Sequence, residues 1–149
     1  MNCKVKFDYK PSSRVNEINS AKVKESEDVF KIVNGMLGDE IAESEHLIVI
    51  TIDSSMSVIG VKVVAKGGLN TTYASPRDVF RYALLENAGW IIIAHNHPSG
   101  SLLPSSADIR FTNRMADAGR LIGVELVDHV IVTKDGWYSF AEEMPETVK

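Results

Sequence analysis

The sequence predicts an α/β protein of the α+β type, in which a mixed β-sheet is flanked by helices. Three observations lead there. β-Branched, apolar runs of strand length stand at 47–53, 58–65, 90–94 and 124–133. The segments between several of them carry apolar residues at helical spacing. The two kinds of element interleave in the order α-β-β-α-β-α-β-β, within 149 residues whose 44% hydrophobic and 24% charged content suits one globular domain. A chain of this length buries roughly two thirds of its unfolded surface, so its core needs no disulfide and no structural metal.

Taken in order, Ser26 is placed to cap a first helix, whose Val29, Ile32, Val33, Met36 and Leu37 fall on one face. Leu47–Asp53 and Val58–Ala65 follow as an antiparallel hairpin joined by Ser54–Ser57, and Gly67-Gly68 ends it. Ser75-Pro76 is an N-cap with proline at the first helical position, and the stripe Val79, Phe80, Ala83, Leu84 stops before Gly89. Trp90–Ala94 is wholly apolar, the pattern of a strand buried on both faces. It delivers the chain into His95. Ser105 or Ser106 opens a third helix through about Leu121, after which Val124–Thr133 and Trp137–Phe140 bracket a Lys134-Asp135-Gly136 turn. The body therefore runs over 22–141, with an N-terminal extension at 1–21 and a solvated tail at 142–149, neither expected to carry chemistry.

Composition excludes several functions. With 16 Lys+Arg against 20 Asp+Glu the net charge is −4, so the basic footprint of a nucleic-acid binder is missing and strong DNA binding is not expected from this chain alone. A single cysteine, Cys3, forms no intrachain bridge and fits a reducing compartment. MNCKVKFDYK has no apolar run after its charges, and the apolar stretches are too short to span a bilayer; the expected location is cytoplasmic. Nothing in the sequence specifies an oligomeric state.

The passage that carries chemistry is His95-Asn96-His97-Pro98-Ser99-Gly100, followed by Ser105 and Asp108. In an extended segment residues i and i+2 project to the same side, so both imidazoles can face one point at the mouth of the buried strand. Asp108, in the first turn of the next helix, can return a carboxylate to that point. Two histidines and one carboxylate form a catalytic zinc shell with one position left for water, whereas a structural site more often has four protein ligands. Ser105-x-x-Asp108 is equally a plain capping box, and on spacing alone both readings stand. The contiguous letters His-Asn-His are unrelated to the nucleases named after them, in which those residues are spread over a ββα element.

His95-x-His97-Pro98, six residues, then Ser105-x-x-Asp108 resembles the JAMM signature of the MPN/JAB metalloproteases, and the run HNHPSG resembles its RadC branch. The likeness extends from Ser26 to Phe140. It includes Glu45-His46, Ile52-Asp53, Gly67-Gly68-Leu69-Asn70, Pro76-Arg77-Asp78, Asn87-Ala88, Ala118 to Gly123, Asp128-His129 and Tyr138-Ser139. The resemblance implies an MPN/JAB-like, cytidine-deaminase-like architecture and a zinc hydrolase acting on peptide or isopeptide bonds of an unidentified peptide or protein substrate. In it His95, His97 and Asp108 hold Zn2+, Glu45 is the general base and Ser105 assists the oxyanion. Glu43 is the nearest competitor for the base. Full-length RadC proteins carry a helix-hairpin-helix segment ahead of this domain, for which residues 1–21 are too short, so the resemblance is to a short form. Gly67-Gly68 and Ser75-Pro76-Arg77-Asp78 also depart from the family's Gly-Thr and His-Pro-Arg-Glu, without touching a proposed ligand. The alternative is a non-catalytic, partner-binding accessory protein of DNA repair or mobile-element biology; retention of all three ligands favours the enzyme.

Among the other residues, His129 beside Asp128 reads as a hydrogen-bonded core histidine or a partner of a ligand, and His46 reads as surface. Asn96 and Ser99 can shape the loop. Arg77 is a capping-turn cation or a domain-specific contact, and Cys3 shows no sign of a reactive thiol.

Overall fold

The computed structural model describes residues 21–67 and 74–149. Cys3, nearly all of the extension at 1–21, and Gly68-Leu69-Asn70 lie outside the described residues.

The expected element order is present. Helix α1 (Ser26–Leu37) runs into a 3-10 turn (Gly38–Ala42), then β1 (His46–Ile52), β2 (Val58–Lys66), α2 (Pro76–Leu85), β3 (Trp90–Asn96), α3 (Ser106–Ile122), β4 (Glu125–Val132), β5 (Trp137–Ser139) and a short α4 (Phe140–Glu143). The five strands form one mixed sheet in the order β2-β1-β3-β4-β5, in which β3 and β4 pair parallel and the other pairs antiparallel. α3 is the crossover between the two parallel strands, as a parallel pair requires.

Period-two alternation sorts the core into two layers. Ile48, Ile50, Ile52, Ile92, Ala94, Val130 and Val132 pack under α1 through Val29, Val33 and Leu37. Leu47, Val49, Ile91 and Ile93 pack on the opposite face against Val79, Phe80 and Ala83 of α2 and Met115 and Ala116 of α3. β3 is therefore buried on both faces, and its last residues inherit this alternation. Gly119 lets α3 approach closely: a Cβ there would lie 2.3 Å from the Val124 carbonyl and 3.2 Å from the Phe80 ring. Gly123, at φ +75°, ends the helix in the left-handed region that favours glycine.

Beyond shifts of one residue at strand ends, three differences from the sequence reading have a visible cause. The N-cap of α1 is Glu25, not Ser26. Asp28 accepts from the Lys24 and Glu25 N–H groups at 2.8 and 3.2 Å, which leaves Ser26 inside the first turn. There its hydroxyl donates to Glu142 at 2.6 Å and accepts from the Trp137 indole at 2.8 Å. β3 continues beyond Ala94 through His95 and Asn96, because both pair with β4 and His95 also pairs with β1. The expected solvated tail at 142–149 instead follows α4 into a second 3-10 turn (Pro145–Thr147) with Thr147 buried. It is anchored because the Asp128 carboxylate accepts from Ser139 Oγ at 2.7 Å and from the Ala141 N–H at 2.9 Å.

Candidate metal centre

At its C-terminal end β3 brings His95 and His97 together, with Nε2 atoms 2.8 Å apart. The N-cap of α3 brings Asp108 to both: Oδ1 lies 3.3 Å from His95 Nε2, and Oδ2 lies 3.7 Å from His97 Nε2. Ser105 holds that carboxylate through a capping box, its N–H and Oγ–H donating to Oδ2 at 2.6 and 2.7 Å. Oδ1 is left facing the histidines. From the other side, the segment preceding β1 places a Glu45 carboxylate oxygen within 4.8 Å of both imidazoles. Glu43 is exposed on the preceding turn. Glu45, His97, Ser99, Ser101, Leu103, Ser105 and Asp108 line an open cleft of about 380 Å3.

The protons on these rings follow from their partners. Thr112 Oγ donates to the Asp108 carbonyl at 2.7 Å, so towards His129 Nδ1, 2.6 Å away, it can only accept. His129 therefore carries its proton on Nδ1, and its bare Nε2 accepts from His95 Nδ1 at 2.7 Å. His95 in turn presents a bare Nε2. His97 Nδ1 donates to the Ser101 carbonyl at 2.7 Å, which leaves its Nε2 turned towards His95 and Asp108. Burial opposes charging of both inner rings: desolvation holds His95 below the ordinary histidine value despite Asp108, and holds His129 well below it. Burial alone would push the Asp108 carboxyl up, but His95 and the Ser105 donors outweigh it and keep the group below the usual carboxylate range.

Two imidazole Nε2 atoms thus converge beside two carboxylates. Neutral imidazoles and carboxylates are the protonation states that ligate divalent metals, and the two negative charges match a dication. This donor set fits zinc.

Of the five residues singled out for chemistry, His97, Asp108, Glu45 and Ser105 line this cleft, and His95 lies buried beside it with its Nε2 against His97 and Asp108. His129, read as a hydrogen-bonded core histidine or a partner of a ligand, is buried, bonded to His95 and stacked on Phe140 at 4.9 Å and 8°. Thr112 went unread, and its signal was a position one turn after Asp108 on the same helix face. His46 is not at the surface: it is 3% exposed, with Nδ1 donating to the Ser44 carbonyl at 2.9 Å and Nε2 3.3 Å from Glu40. Arg77 lies away from the centre, in a cleft between α2 and α3 with Phe80, Leu84 and Ile122. Among the described residues, no helix is long and apolar enough to cross a membrane.

A family model described as a RadC-like JAB domain matches residues 23–145. A UPF0758 protein from Chlorobium chlorochromatii is 41% identical over 121 residues, covering 81% of this chain and 54% of the relative. Another from Enterococcus faecalis is 39% identical over 129 residues, covering 86% and 54%. One from Thermotoga maritima is 46% identical over 101 residues, covering 68% and 46%. The chain spans about half the length of these relatives.

Proposed function

This chain belongs to the RadC-like JAB domain family, and on that premise we propose that it is a zinc-dependent hydrolase of peptide or isopeptide bonds. The observation that carries this reading is the pair of imidazole Nε2 atoms 2.8 Å apart, flanked by Asp108 and Glu45. A partner-binding scaffold without turnover has no need of such a set.

His95, His97 and Asp108 would hold the metal. Asp108 suits a ligand because it is buried and fixed by Ser105, whereas Glu45 suits a base because it is only half-buried in the cleft wall. Bound zinc supplies Lewis acidity, polarising a carbonyl and lowering the pKa of water to about 7. The Glu45 carboxylate takes a proton from the attacking water and passes it to the amine as the C–N bond breaks, leaving a carboxylate and a free amine. Ser105 has its proton committed to Asp108 Oδ2, so assisting the oxyanion requires the hydroxyl to turn from Asp108 into the cleft. The substrate is a peptide or protein. With its net charge of −4, this chain alone should bind duplex DNA weakly at physiological salt, and tight, specific binding there would refute that part of the proposal.

Metal analysis tests the reading. The purified chain should carry about one zinc, and His97→Ala should lose it while staying folded. Asp108→Asn should lower occupancy, whereas Glu45→Gln should keep the metal and lose roughly 10²–10⁴ in rate. Stoichiometric zinc on a His95→Ala/His97→Ala double variant would refute the site.

A further inference from the structure

We infer that Asn96 is the positioning residue for Glu45: its side-chain amide ties the turn carrying the proposed base to the strand carrying the proposed metal ligands. This rests on the reading of Glu45 as base.

Asn96 is the last residue of β3 and is 0% exposed. Strand alternation sends His95 to the α3 face and Asn96 to the face covered by α1 and the first 3-10 turn. There Asn96 Nδ2 donates to the Ile41 and Ser44 carbonyls, each at 2.8 Å, and Oδ1 accepts from the His46 N–H at 2.7 Å. Carbonyls only accept and an N–H only donates, so these three partners fix the orientation of the amide. Ser44 and His46 flank Glu45, and the backbone on each side of the proposed base is therefore bonded to one side chain.

The ladder does not do this work. Pairing between β1 and β3 ends at Leu47 with His95, and the segment holding Glu45 lies beyond it. The Gly67 N–H bonds the Glu45 carbonyl at 2.8 Å, which ties that segment to the β2 end of the sheet. Asn96 joins it to β3 through a side chain whose neighbours in sequence are the two histidines. Ligands and base consequently move as one unit, and a misplacement of about 1 Å between catalytic groups can cost on the order of 10²-fold in rate. A smaller side chain leaves the Ile41 carbonyl and the His46 N–H without this partner, while the Ser44 carbonyl keeps the His46 Nδ1–H.

The test uses the full chain loaded with Co2+, as wild type, Asn96→Ser, Glu45→Gln and the double variant. Cobalt affinity is measured by chelator competition, and the pH midpoint of the cobalt absorption is followed because a carboxylate beside the ion sets the local charge. His95 keeps its pairing with Leu47 and Ile131, and the His97 N–H keeps its 2.9 Å bond to the Val132 carbonyl. Asn96→Ser should therefore lose less than about tenfold in affinity. Its midpoint should shift in the same direction as that of Glu45→Gln, by about one pH unit or less. The double variant should shift no further than Glu45→Gln alone, because a positioning effect vanishes with the group positioned. A wild-type midpoint for Asn96→Ser, or additive shifts, overturns the inference while the base assignment stands. An unmoved midpoint in Glu45→Gln overturns the base assignment and this inference with it. Should Asn96→Ser not fold, wild-type NMR decides. Slow exchange of both Asn96 side-chain amide protons and the His46 N–H supports the clamp; exchange at the free rate overturns it.

Discussion

Replacing Thr112 with valine keeps the shape of the side chain and removes one oxygen, which fixes the protons of two histidines. In the folded protein the Asp108 carbonyl takes the Thr112 hydroxyl proton, and the same oxygen accepts from His129 Nδ1. Thr112→Val leaves that N–H buried without an acceptor, at a cost of about 1–3 kcal/mol to the metal-free protein. The ring can avoid the cost only by moving its proton to Nε2, which faces His95 Nδ1 at 2.7 Å. His95 would then have to carry its own proton on Nε2, the atom offered to the metal. The second route weakens binding, because it protonates the atom proposed to bind metal, and outer partners of ligating histidines are typically worth 10–100-fold in metal affinity, or roughly 1.4–2.8 kcal/mol. The assay is competitive zinc titration at neutral pH, paired with urea unfolding of the metal-free protein; Thr112→Ser, which restores the hydroxyl, should recover both. Zinc affinity and stability equal to wild type in Thr112→Val would show that the Thr112–His129–His95 chain does not set the proton positions.

Three further outcomes are expected. Burial raises the Asp128 carboxyl from 3.8 to about 6, despite the Ser139 and Ala141 donors. The native state thus binds this proton more tightly than the unfolded chain, and the associated stability is full below about pH 4 and lost as pH rises through 6, by up to about 3 kcal/mol. Urea unfolding from pH 4 to 7 should show a flatter profile in Asp128→Asn, and identical slopes would count against it. Gly119→Ala should destabilise by about 1–3 kcal/mol or more, because its Cβ meets backbone at 2.3 Å. Gly35→Ala, on an exposed helical site with nothing within 4 Å, should instead stabilise by about 0.5–1 kcal/mol; a lower melting temperature for this variant would contradict the reasoning.

The elements readable from the sequence are those whose cause is local. Apolar period and capping residues located α2, α3 and the cores of β1 to β4. The hairpin turn was legible because Asp53 Oδ1 collects the Ser55 and Ser57 N–H groups, a job written into neighbouring letters. His95 and His97 announced themselves by spacing. What escaped depends on residues distant in the chain. His46 looks exposed until the Ser44 carbonyl and Glu40 close around it. EEMPET looks like a tail until Asp128 draws the Ala141 N–H inward. Asn96 and Thr112 are ordinary letters whose roles arise from partners on another element. Ser26 shows the opposite failure, a favourable local cap displaced because its hydroxyl is used by Trp137 and Glu142 at the far end of the sequence.

The parallel pairing of β3 with β4 also fixes when the centre can mature during synthesis. Glu45, His95, His97 and Asp108 have all been made by the time α3 is complete, so a nascent chain at that stage holds every proposed donor. It lacks His129, which sets the proton of His95, and Val132, whose carbonyl receives the His97 N–H. Both arrive with β4, which follows the α3 crossover and docks parallel to β3, a long-range closure of the kind that slows folding. Metal capture at the proposed site would therefore follow emergence of β4, and a ribosome stalled after α3 would display donors without a finished cage.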